Sequence, residues 1–91
     1  MEIVIKDFYS DNCGACKSLV PVLDQIKEEY VDTVKIEKIN VMEDPQQAAD
    51  FNVMGVPSVF ILVDGKEVHF GKGFHPYELL KGKLDELLEG N

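Results

Sequence analysis

The chain has 91 residues, enough for one domain with a single core and not for two. Its net charge is −8, from 9 basic and 17 acidic residues, which argues against nucleic acid and anionic membranes as partners. The N-terminus carries no basic segment followed by a long apolar one, and the longest apolar run, Val59 to Val63, is too short to span a bilayer. The expected compartment is therefore the cytoplasm, where a cysteine pair is more often catalytic or metal-binding than a permanent crosslink.

Ile3 to Tyr9 reads as a strand with apolar residues on both faces, Ile3, Ile5 and Tyr9 on one and Val4 and Phe8 on the other. Asp7 falls on the Ile3/Ile5 face, where a carboxylate is out of place. Ser10 to Asn12 is turn-like. A helix is expected from about Gly14 to Tyr30, with Cys16, Leu19, Val20, Leu23, Ile26 and Tyr30 at three- and four-residue intervals. Pro21 removes one backbone hydrogen bond there, but the pattern resumes beyond it, so a bend is expected and not a stop.

Val34 to Val41 reads as a second strand, and strand–helix–strand over this length is a βαβ unit with parallel strands. Lys38 shares a face with Val34 and Ile36. Asp44-Pro45 marks the start of a short helix to about Phe51. Asn52 to Pro57 is a connection, and Ser58 to Val63 a third inner strand. Asp64-Gly65 is a hairpin turn signal. Lys66 to Gly71 should return antiparallel, with Val68 and Phe70 inward and Glu67 and His69 on the other face. A last helix from about Pro76 to Leu88 should bury Tyr77, Leu80, Leu84, Leu87 and Leu88. The order is β-α-β-α-β-β-α, an α/β fold with a four-stranded mixed sheet of order 2-1-3-4 and helices on both faces. One domain covers residues 1–91.

Both cysteines of the chain, Cys13 and Cys16, lie where the first strand gives way to the first helix. Positions i and i+3 on a first helical turn face one another within the Cα spacing a disulfide tolerates. Cys13 at the helix N-terminus meets unsatisfied N–H groups and the positive end of the helix dipole, which stabilise its thiolate. Cys16, one turn in, belongs to the buried stripe. That asymmetry suits thiol–disulfide exchange: Cys13 attacks a substrate disulfide, and Cys16 then attacks Cys13.

Three other readings of the pair stay open at this point. A structural crosslink across two residues restrains the unfolded chain little. A zinc site would have to recruit His69 and His75, which lack paired spacing. The pair could also be two ordinary buried thiols. Asp7 is either a turn aspartate at a strand end or a desolvated carboxylate of raised pKa that takes the proton from Cys16. Lys38 is either a solvated edge residue or its partner.

The combination resembles the thioredoxin family: Asp7-Phe8-Tyr9 leading into Cys13-Gly14-Ala15-Cys16-Lys17, Pro21, Lys38-Ile39-Asn40-Val41, Val56-Pro57, Asp64-Gly65 and Gly73 before the last helix. It spans most of residues 3–88. The resemblance implies a minimal thioredoxin-like fold, a cis Val56–Pro57 bond, and a substrate groove lined by Gly14, Ala15, Val56, Pro57 and Gly73. It implies a protein-disulfide reductase needing no cofactor or metal beyond its own dithiol. Its partners would be disulfide-containing proteins and a reductase, either thioredoxin reductase or a glutathione system, with the chain a monomer. Asn12 and Tyr9 stand where relatives usually have Trp, and Ala15 where they have Pro, so potential and substrate preference should differ. A full-size thioredoxin has an extra strand and helix before the segment matching Ile3–Tyr9. In lacking them the chain also resembles glutaredoxins and small archaeal redox proteins, so a glutathione-dependent enzyme is one alternative. A non-enzymatic module that binds a metal or a partner is the other.

Overall fold

The computed structural model describes residues 1–89, so the last two residues of the expected domain, Gly90 and Asn91, lie outside it. Seven elements follow one another: β1 Ile3–Tyr9, α1 Gly14–Glu29, β2 Val34–Asn40, α2 Pro45–Asp50, β3 Ser58–Val63, β4 Lys66–Lys72 and α3 Tyr77–Leu88. The sheet order is β2-β1-β3-β4. β1 and β2 are parallel, β1 and β3 antiparallel, and β3 and β4 antiparallel, as the βαβ unit and the hairpin require.

The two faces of the sheet have separate cores. Ile3, Ile5, Val59 and Ile61 pack against Leu19, Leu23 and Ile26 of α1 and Leu80 and Leu84 of α3. On the opposite face Phe8, Ile39, Phe60 and Leu62 pack with Ala48 of α2 and with Phe51 and Val53 beyond it. Phe8, Phe51 and Phe60 form an aromatic cluster with ring centroids 5.1–5.5 Å apart, two of the three contacts edge-on, the geometry that aromatic quadrupoles favour. Because β1 and β3 are covered on both sides, they read as continuous apolar runs.

Local chemistry sets the boundaries. Asp44 Oδ1 accepts from Gln47 N at 3.1 Å and caps α2, with Pro45 at its first position. Asp64 and Gly65 take φ values of 51° and 84°, the left-handed pair that a two-residue hairpin needs. α1 runs unbroken through Pro21 and ends at Tyr30, whose hydroxyl donates to Asp85 of α3 at 2.7 Å. α1, β2 and α2 each end one residue before the expected limit, within the ordinary fraying of element ends.

Three sequence expectations about burial are corrected. Val20 is not part of the α1 stripe but exposed, at the rim of a cleft. Leu88 is exposed, since the α3 stripe is fully buried only at Leu80 and Leu84. On β4, Val68 and Phe70 are 49% and 48% exposed and not inward. The pairing shifts between Ile61, opposite His69, and Leu62, opposite Glu67, which leaves Val68 as an extra residue in a bulge. A bulge breaks the period-two alternation on which the expectation rested. Phe70 still lies over Phe60, with centroids 4.8 Å apart, but on an edge strand it keeps one side open.

Candidate active site

The strand-to-helix junction delivers Cys13 as the N-cap of α1, with extended backbone. Its Sγ accepts from the Cys16 backbone N–H at 3.1 Å, one of the donors that the first turn of a helix leaves without an internal partner. Cys13 and Cys16 form a disulfide with Cα atoms 5.2 Å apart. Cys13 is partly exposed, while Cys16 is 4% exposed. Gly14 and Ala15 between them are exposed.

Asp7 lies on β1 directly opposite Lys38 of β2. It is 2% exposed and its Oδ1 has no hydrogen-bond partner. A buried, unpartnered carboxylate is rare and asks for a functional reason. Burial raises its pKa from 3.8 to about 6, against the opposing pull of the Lys38 ammonium. Lys38 does not close an ion pair with it: the described salt bridges join Lys6 and Lys35 to Glu37, and Lys81 to Asp85. Lys38 is exposed and acts on Asp7 through its field alone.

Asp7 and Cys16 open into the same cleft of about 220 Å³, whose walls include Tyr9, Asp11, Lys17 and Lys38. That volume is ample for water. The Asp11 carboxylate at its rim accepts from Asn40 Nδ2 at 3.3 Å. Tyr9 and Lys17 went unassigned to the site from sequence. Both positions carried a signal: Tyr9 shares the Asp7 face of β1, and Lys17 follows Cys16.

The Val56–Pro57 bond is cis. Gly73 N donates to Pro57 O at 2.7 Å, so the expected groove residues Pro57 and Gly73 are joined by a backbone bond, and Ser58 Oγ donates to Gly55 O at 2.6 Å beside them. An apolar groove of about 310 Å³ runs beside Val56 and Gly55 along Ser10, Val41, Val53 and Met54. Met54, exposed in the loop before the third strand, carries no pattern in the sequence that marks it for this groove. His69 and His75, set aside as a zinc pair, are brought together with their Nε2 atoms 3.1 Å apart. Among the described residues no group of three or more His, Cys, Asp or Glu side chains converges to hold a metal ion. No described helix is long and apolar enough to cross a membrane.

The family model for thioredoxin matches residues 1–86. The chain is 39% identical over 86 residues to the thioredoxin of Bacillus subtilis, covering 94% of this chain and 83% of that one. It is 37% identical to the thioredoxin of Listeria monocytogenes, covering 94% of this chain and 80% of the relative. A solved mutant thioredoxin from Halobacterium salinarum superposes with a TM-score of 0.85 at 32% identity, over 93% of this chain and 74% of that structure.

Proposed function

Because this chain belongs to the thioredoxin family, and with it to the thiol–disulfide oxidoreductases that reduce protein disulfides, we propose that Cys13 is the attacking thiol, Cys16 the resolving thiol and Asp7 the proton acceptor. The observation that carries this division of labour is the shared cleft: Cys16 and an unpartnered carboxylate open into one space, while Cys13 stands at the open helix end.

In the reduced protein, the Cys13 thiolate attacks one sulfur of a substrate disulfide. The S–S bond breaks, one substrate thiolate leaves, and a mixed disulfide forms. The Cys16 thiol then passes its proton to the Asp7 carboxylate, directly or through a water in the cleft. Its thiolate attacks Cys13 Sγ, releases the second substrate thiolate and closes the Cys13–Cys16 bond. Two electrons pass to the substrate and two protons follow through solvent. The chain's own dithiol carries the electrons, with no metal or organic cofactor in the cycle. Lys38 keeps Asp7 ionisable near neutral pH, since without its charge desolvation would push that carboxyl higher.

Gly14, Ala15, Val56, Pro57 and Gly73 line the groove that receives the substrate segment. The working state is a monomer in a reducing cytoplasm, supplied with electrons by a thioredoxin reductase. Rapid reduction by that enzyme, and slow reduction by glutathione alone, is the expected result with the oxidised protein; the reverse would favour a glutathione system as donor. The roles of the two cysteines are tested by trapping. Cys16→Ser should accumulate covalent mixed disulfides with a protein substrate, and Cys13→Ser should not; equal trapping by both would overturn the assignment.

A further inference from the structure

His75 is a buried polar residue, 3% exposed, just beyond Gly73 and before α3. Its Nδ1 lies 2.9 Å from the Gly73 carbonyl oxygen. A carbonyl only accepts, so Nδ1 carries the proton. In the neutral ring Nε2 is then an acceptor, and His69 Nε2–H, 3.1 Å away, is the donor that satisfies it. One tautomer of each ring is thereby dictated by the carbonyl. Burial, the Lys83 ammonium and the neighbouring imidazole all hold His69 below its usual pKa, which favours its neutral ring. Glu86, with Lys83, faces His69 across a small cleft on the α3 side.

The backbone gives way to this pair. A Cβ on Gly71 would lie 2.6 Å from His75 Nε2 and 3.2 Å from His69 Nε2. Gly71 has no positive φ, so glycine is needed there for space and not for conformation. The β4 bulge supplies the other half, placing His69 opposite Ile61 on the α3 side of the sheet. The chain of bonds then runs from His69 through His75 to the Gly73 carbonyl, and from Gly73 N to Pro57 O.

We propose that His75, held in one tautomer by His69, is a positioning residue for substrate binding: it fixes the Gly73 peptide as the wall of the groove opposite Val56–Pro57. This rests on the reading of Gly73 and Pro57 as groove residues. His75 touches neither cysteine among the described hydrogen bonds and takes no part in electron transfer. Its effect falls on the affinity for an extended protein segment and not on the exchange chemistry. A small disulfide that reaches only Cys13 does not use the wall.

The test compares insulin with bis(2-hydroxyethyl) disulfide, using dithiothreitol as reductant and circular dichroism as a fold check. His75→Leu removes the donor to Gly73 and should raise KM for insulin about fivefold, the weight of one hydrogen bond, with kcat little changed. His75→Asn keeps an N–H near the Nδ1 position and should restore a KM close to that of the unaltered protein. The rate with the small disulfide should be the same in all three. Gly71→Ala should raise the insulin KM in the same way by displacing the His75 ring. Should His75→Leu fail to fold, the partly buried His69 serves: His69→Leu should raise KM and His69→Gln, which keeps a donor, should not. An unchanged KM in the Leu variants overturns the proposal, as does equal impairment of the Leu and Asn variants or a matching loss with the small disulfide. Failure of the unaltered protein to reduce either disulfide would instead overturn the redox reading beneath it.

Discussion

At the scale of single residues, Asp7 sets stability against its proposed role in proton transfer. Its folded pKa of about 6 lies above the ordinary 3.8, so the folded state binds the proton more tightly than the unfolded state. Below about pH 4 both states are protonated and Asp7 has no adverse effect. As pH rises to about 6 the unfolded chain ionises first and stability falls, by about 3 kcal/mol once both are ionised. Asp7→Asn abolishes that decline, so the variant should be more stable than the unaltered protein at pH 8 and much closer to it at pH 4, as urea denaturation at the two pH values will show. The same substitution removes the proposed proton acceptor. Turnover at pH 7 should fall about tenfold or more, and the rise in rate through pH 6 should disappear from the pH profile. An unchanged profile would take Asp7 out of the mechanism. The residue was legible from the sequence because a carboxylate stood in an apolar strand face. That it lacks an ion pair with Lys38 was not legible, since strand register places Cα atoms and not ammonium groups.

At the scale of elements, helical and strand periodicity located nearly every segment, because each must bury one stripe or both faces against its neighbours. The exceptions lie where a neighbour is missing or a period is broken. Val20 continues the α1 spacing, yet it faces a cleft, so burial runs through Cys16, Leu19 and Leu23 and skips Val20. The difference is measurable. Leu84→Ala should destabilise the protein by about 2–5 kcal/mol in chemical denaturation, the range for a large core truncation. Val20→Ala should stay within about 0.5 kcal/mol, as for an exposed site. The β4 bulge is the other exception. One extra residue carries no marker in the sequence; it reverses which of Val68 and His69 faces inward, and with it hides the histidine pair.

At the scale of the whole molecule, a net charge of −8 gives the protein a field that draws cationic substrates. Raising the salt concentration from low values to about 0.5 M should slow the reduction of a Lys-rich disulfide peptide severalfold and leave or speed that of a Glu-rich one, since screening acts within about a Debye length. Equal salt dependence for the two peptides would show that steering is absent. The sequence by itself determined the element order, the parallel βαβ unit, the hairpin and the Cys13/Cys16 pair, because each follows from periodicity, turn chemistry or spacing along a few neighbouring residues. Only the tertiary structure decided what lies beside that pair. The cleft joining Asp7 to Cys16, the backbone link from Pro57 to Gly73 and the contact of His69 with His75 all depend on register, on a bulge and on how segments distant along the chain meet. Those are set by packing across the sheet, which no local pattern encodes.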